Sequence, residues 1–287
     1  AKSAYLCQVE LDGTVAVVSV EADFGMGVTL AQLDLTLVDE LPGRTQGLAP
    51  SGDGGFDLAT RGAESAAVWS GQGGLAFARH DSDGAPVGET VEIPGARTDA
   101  WAPAIVATND GYAIAWTNVD HEYPLGDRGI YVVRVDAAGE IVVGPRRVSR
   151  EADAGGAVWM PSIAWTGEEL GVGWPRATGT SRHLFFVRVG ADGERIGEEV
   201  PLTRDTWGGI YPHLRWDPVL GYGLARMAEG TTGEIRFARL GADGASLGTE
   251  LTLGEGIYSD LTALDGAFGI AWEALDGSGI VYARICP

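Results

Sequence analysis

From 112 to 117 the chain reads YAIAWT, where bulky Tyr112, Ile114 and Trp116 alternate with Ala113 and Ala115. A period of two is that of a β-strand, here with one large face and one small. IYVVRV at 130–135 is β-branched and aromatic, and DAAG at 136–139 then supplies the glycine that a tight hairpin takes at positive φ. EIVVGPRRV adds another strand, while WAPAIVA at 101–107, closed by NDG at 109–111, precedes the unit as an inner strand. The pattern predicts a module of four antiparallel strands.

The module recurs. One third-strand position is held in turn by Gln32, Arg79, Arg134, Arg188, Arg239 and Arg284, at steps of 47, 55, 54, 51 and 45 residues. Four strands and a turn glycine at that period predict an all-β, six-bladed β-propeller in a single domain. Blade ranges are expected near 4–46, 47–96, 97–150, 151–204, 205–254 and 255–287, the last with three strands of its own because the chain ends after IVYARICP. In the second strand, small residues recur at the places of Ala113 and Ala115, as Ala66 with Val68, Gly171 with Gly173, Gly223 with Ala225 and Gly269 with Ala271. The next bulky place holds Trp69, Trp116, Trp174 and Trp272, with Val18 and Arg226 departing from the rule. Sheets crowded around an axis need a large face packed on a small one, and the alternation supplies it. Through G-x-A-I-A-W followed by I-Y-x-x-R-x-D-x-x-G, the chain resembles bacterial repeat propellers over essentially its full length. That resemblance implies a fold, and propellers host lectins, hydrolases and scaffolds alike.

Charge narrows the partners. A formal net charge of −20 argues against nucleic acid and anionic membrane surfaces, both of which need clustered Lys or Arg. No run approaches the ~18 apolar residues of a membrane span. AKSAYLC lacks a hydrophobic signal core, so secretion from a bacterium to the exterior or cell surface is an expectation that rests on the cysteines. Cys7 and Cys286 stand near opposite ends of a chain whose first and last blades should meet, and a disulfide closing the ring would suit an oxidising compartment. Two separate thiols are the other reading. The chain is expected to be a monomer.

Two short motifs read as turns. Asp81-Ser82-Asp83-Gly84 has the start of a calcium loop but occupies the place of DAAG and GADG elsewhere, so a hairpin turn is expected and no metal or cofactor is assigned. Ser51-Gly52-Asp53-Gly54-Gly55 is similar to the opening of the sialidase Asp-box, itself a turn, without its following Trp.

Residues shared by every blade are architectural, so candidates for chemistry are the departures. They gather on the face formed by the loops from strand four to the next blade and from strand two to strand three. Aromatic rings beside carboxylates suit a sugar, whose C–H face stacks on a ring while its hydroxyls bond to charged groups. The ligand-binding candidates are Trp207, His213, Tyr211, His121, Tyr123, Asp205, Asp260 and His183. Trp101 and Trp159 hold equivalent places two residues before Pro103 and Pro161 and read as blade-junction plugs, whereas Trp207 has no equivalent. His213 replaces Ala104 and Ser162 at the start of an inner strand, where it either lines the channel or is structural.

There is no G-x-S-x-G, H-E-x-x-H or Cys-x-x-Cys, so no catalytic residue is assigned. Three classes of function remain: an extracellular module binding a glycan or small ligand, a protein-interaction scaffold, and a glycan-active hydrolase using carboxylates such as Asp205 and Asp260. Unlike loops in each blade favour the first, with one site or a few unlike sites.

Overall fold

The computed structural model describes residues 4–7, 15–21, 27–33, 47–50 and 55–286, apart from 72, 83, 99, 119–128, 151–157, 179–180, 204–208, 229–232, 265 and 277–279. The first three strands and Gly47–Pro50 are described by their backbone alone. The described residues are all strand, turn and irregular structure, and the fold is a β-propeller. The first sheet holds β1 (Ala4–Cys7), β2 (Val15–Glu21), β3 (Gly27–Leu33) and β4 (Gly47–Pro50). The second holds β5 (Phe56–Arg61), β6 (Glu64–Gly71), β7 (Gly74–His80) and β8 (Pro86–Ile93). The third holds β9 (Ala100–Ala107), β10 (Gly111–Asn118), β11 (Gly129–Asp136) and β12 (Ile141–Arg147). The fourth holds β13 (Ser162–Trp165), β14 (Glu169–Thr178), β15 (Ser181–Gly190) and β16 (Arg195–Pro201).

The remaining sheet has six strands: β17 (Gly209–Asp217), β18 (Gly221–Ala228), β19 (Glu234–Leu240), β20 (Leu251–Leu264), β21 (Ala267–Ala274) and β22 (Ile280–Ile285). β20 serves twice. Leu251 to Glu255 pair with β19, and Gly256 to Leu264 pair with β21. Inner strands pack on one another around the ring, β5 on β9, β9 on β13, β13 on β17, β17 on β20, and β20 on β1.

Packing between sheets follows the large and small faces read from the sequence. Trp116 and Trp174 are fully buried. A Cβ built on Gly171 would stand 2.6 Å from the Tyr222 ring of the next sheet, and one on Gly223 2.7 Å from Phe268. The small residues therefore leave room for rings that their neighbours insert. Each boundary becomes a jigsaw contact that tolerates little added volume.

The turn glycines do the same work on one face. Gly139, Gly193 and Gly244 adopt φ of 94, 80 and 80°, and Gly244 also lets its turn approach Phe186 of the preceding sheet, where a Cβ would meet the ring at 2.4 Å. The recurring third-strand arginines tie this face together. Arg79 donates to the carbonyls of Ala137 and Ala138 in the next sheet's turn, and Arg134 donates to that of Ala191 in the one after. Arg188 instead makes a bidentate pair with Glu169 of its own sheet at 2.6 and 2.7 Å. Asp81 and Gly84 make the same hairpin turn, with the Gly84 N–H donating to the Asp81 carbonyl at 2.9 Å.

The expected disulfide is a correction. Cys286 is a free, exposed thiol, so no bond to Cys7 closes the ring. Cys286 follows β22, two ladder steps outward from the β20 segment beside which β1 packs. Two steps of ~4.8 Å exceed the ~4.4–6.8 Å between Cα atoms that a disulfide spans.

Candidate functional site

The inner strands β5, β9, β13, β17 and β20 each present one residue at the same register toward the axis: Asp57, Ala104, Ser162, His213 and Asp260, paired with Val68, Ala115, Gly173, Ala225 and Ala271 of the second strands. Two residues earlier the backbone is left-handed in every case, at Gly55, Ala102, Met160, Tyr211 and Tyr258, with φ of 95, 48, 37, 53 and 51°. In three strands this coincides with a register shift that sets two residues opposite one bulky second-strand residue: Trp116, Arg226 and Trp272. An inserted residue bends a strand and re-aims its side chains. Four non-glycine residues held at positive φ are costly, and such strain gathers at functional sites.

The result is an axial cavity of about 150 Å³ lined by Asp57, Ser162, His213, Arg215 and Asp260, with Phe56, Ala104, Ile163, Pro103, Pro161 and Pro212 between them. Asp57 Oδ1 accepts from the N–H of Leu58, and Oδ2 from that of Ile105 on the neighbouring inner strand, both at 2.8 Å. The Ser162 hydroxyl accepts from the N–H of Leu214 at 2.8 Å, which leaves its own O–H to donate. His213 Nδ1 lies 3.4 Å and Arg215 Nη2 3.8 Å from Asp260 Oδ1, which also accepts from the N–H of Leu261 at 2.7 Å.

These surroundings split the two carboxyls. Burial among the hub strands pushes Asp57 up to about 6, against the opposing pull of its backbone donors and of Arg215. Burial acts on Asp260 in the same direction, but the hydrogen bond and charge of His213, then Arg215 and the Leu261 N–H, outweigh it and hold that carboxyl at about 2. The consequences for stability have opposite signs. Asp57 binds its proton more tightly folded than unfolded, so its contribution is full below about pH 4 and lost as pH rises to about 6, up to about 3 kcal/mol. Asp260's contribution is full above about pH 4 and lost as pH falls to about 2. Urea denaturation of Asp57→Asn should therefore lack the wild-type loss of stability between about pH 4 and 6. Parallel pH profiles for the two proteins would contradict this assignment.

Of the residues singled out by sequence, His213 and Asp260 meet in the cavity. Tyr211 and Tyr258 stand two residues before them on the same strands, their rings 5.6 Å apart edge to face. His183 pairs with Arg176 between β14 and β15 and does not line the cavity. Trp207, Asp205, His121 and Tyr123 lie outside the described residues. Trp159 receives the Arg182 guanidinium over its ring at 5.0 Å. Asp57, Ser162 and Arg215 were not anticipated. Arg215 is two residues after His213 and so shares its face, and Asp57 becomes visible once FDLATR is registered on PAIVA and PSIAW.

No family model matches the chain, and no curated protein matches it in sequence. Solved structures match it in fold. A protein of unknown function from Dyadobacter fermentans superposes with a TM-score of 0.67 at 12% identity, over 99% of this chain and 94% of that one. A neuraminidase-like protein of A/little yellow-shouldered bat/Guatemala gives 0.60 at 8%, over 100% and 95%. An ulvan lyase, a polysaccharide lyase solved with -[GlcA(1-4)Rha3S]-, gives 0.58 at 10%, over 97% and 82%. At such identities the likeness is one of fold.

Proposed function

We propose that the protein is an extracellular binding module, one domain of six blades with β20 shared between the last two, whose axial cavity takes one unit of a glycan or another small polyhydroxylated ligand. The observation that carries this reading is the polar ring itself. Where Ala104 shows that an apolar residue serves the fold, Asp57, Ser162, His213 and Asp260 supply donors and acceptors at one level, with Arg215 beside them. Hydroxyl groups of a sugar both donate and accept, and such a ring can satisfy them, with Tyr211 and Tyr258 two residues before His213 and Asp260 on the same strands as stacking candidates. The cavity is small against the ~300–1,000 Å³ of pockets that enclose drug-sized ligands, which suits a single ring.

The loop candidates Trp207, Asp205, His121 and Tyr123 are proposed to extend the site outward on the same face. Export to the bacterial surface and a monomeric state belong to this reading. The ulvan lyase and the neuraminidase-like protein supply precedent for the architecture alone.

A glycan array is the test. Wild type should retain a subset of glycans, and Ala104→Leu, which fills the cavity from an inner strand, should lose them while melting as a folded protein. Trp207→Ala should weaken retention by about 1–3 kcal/mol if the ring is a stacking platform. Retention unchanged by Ala104→Leu would overturn the cavity as the site.

A second reading has its own observation. A carboxyl raised to about 6 near one held at about 2 is the disposition of an acid paired with an ionised carboxylate, as in glycoside hydrolysis. Release of reducing ends from retained glycans, abolished in Asp260→Asn, would favour a hydrolase over a binding module.

A further inference from the structure

Among the described residues the two carboxylates of the axial cavity are partnered differently. Arg215 and Asp260 are each other's counter-ions at 3.8 Å, and His213 also turns its Nδ1 to Asp260. Asp57 faces the same space from β5. Its partners are the N–H groups of Leu58 and Ile105, and among the described residues no Lys, Arg or His nitrogen comes within ion-pairing distance of it. Among the described residues, the charged or titratable side chains that face it across the cavity are His213 and Arg215 from β17 and Asp260 from β20. β9 and β13 contribute Pro103, Ala104, Pro161, Ser162 and Ile163, none of which is charged.

We infer that the ligand itself supplies an ion-pair partner for Asp57: the cavity takes a glycan or small molecule bearing a protonated amine, seated with its N–H groups on that carboxylate. This rests on the cavity being the ligand site. An ammonium group donates directionally to a carboxylate, and the free lone pairs of Asp57, together with the Ser162 oxygen, are acceptors for it. The rings of Tyr211 and Tyr258, two residues before His213 and Asp260 on the same strands, attract cations through their quadrupoles. A chain of net charge −20 raises the local concentration of cations around the mouth. A metal ion fits less well, because among the described residues no three His, Cys, Asp or Glu side chains converge as ligands.

A proton linkage follows. Only ionised Asp57 pairs with the amine, and burial in this cavity holds its proton up to about 6. The ligand and the proton therefore compete for one group. Between about pH 7 and about pH 5 the ionised fraction of Asp57 falls about tenfold, and affinity should fall by about the same factor.

Calorimetric titration with a glucosamine oligomer, its N-acetylated counterpart and an oligoglucuronate tests this. The amine should bind most tightly at neutral pH, release protons on binding near pH 6, and weaken at pH 5. Asp57→Asn, checked for an intact melting transition, should reduce its affinity about tenfold at neutral pH and abolish the pH dependence. Wild type alone suffices if that variant does not fold, since its pH profile carries the same information. Equal binding of the acetylated or acidic oligomer, or amine binding indifferent to pH, would overturn the amine assignment and leave the glycan reading standing. Failure of all three oligomers to bind at any pH, in a protein that retains other glycans on the array, would likewise overturn the amine assignment alone. Failure on the array as well would remove both.

Discussion

Glu250→Ala is expected to destabilise the protein by about 3–5 kcal/mol, far more than a surface carboxylate should. The reason lies at the place where four other repeats carry Trp. Arg226 stands there instead, with its side chain 2% exposed, and Glu250 receives it through two hydrogen bonds of 2.7 Å. Arg236 also reaches Glu250 at 3.3 Å. Removing the carboxylate takes its bidentate ion-pair partner from a buried guanidinium. The same physics says that the pair need not contribute net stability, since replacing both partners by apolar groups of similar volume is often neutral or better. Arg226→Trp combined with Glu250→Ala should therefore recover most of the loss. Urea denaturation of the three proteins decides it, and a single-variant cost below about 1 kcal/mol would place Arg226 outside this account.

Tyr222→Ala should cost a similar amount, about 3–5 kcal/mol, by opening a void at the joint between the fourth sheet and the next. Its ring is fully buried, 5.2 Å from Phe186 and 4.7 Å from Trp216 between centroids, and occupies the space that Gly171 vacates. Tyr222→Phe isolates the ring from the hydroxyl. That oxygen is buried without a hydrogen-bond partner among the described residues, so its removal should be neutral or slightly stabilising. If the Phe variant loses as much as the Ala variant, the hydroxyl has a partner and the joint is not a matter of volume alone.

Both residues show what periodicity can carry. The alternation of large and small positions in YAIAWT reports a requirement met at every sheet boundary, so Gly171 facing Tyr222 and Gly223 facing Phe268 were implicit in it. The turn glycines were legible for the same reason. Departures from the repeat singled out His213, which stands where other inner strands carry Ala104 and Ser162, and Asp260, read as a carboxylate of the connection between blades; both line the cavity. Asp57 escaped because Asp in FDLATR reads as the outward position of an ordinary alternating strand. Its inward aim comes from the kink at Gly55, which composition does not announce. The cysteines mark a different limit. Registering strands aligns residues along a blade but carries no radial distance, and Cys286 lies two strands too far from the hub to reach Cys7.

The claim on which the functional account turns is that ligand enters the axial cavity and not the face of the hairpin turns, whose glycines and arginines are used in holding sheets together. Backbone amide chemical-shift mapping of the labelled protein with a retained glycan measures this directly. The account predicts that the largest shifts fall on Leu58, Ile105, Ser162, His213, Leu214 and Leu261, whose amides carry or adjoin the polar ring. Shifts concentrated instead around Gly139, Gly193 and Gly244 would contradict it.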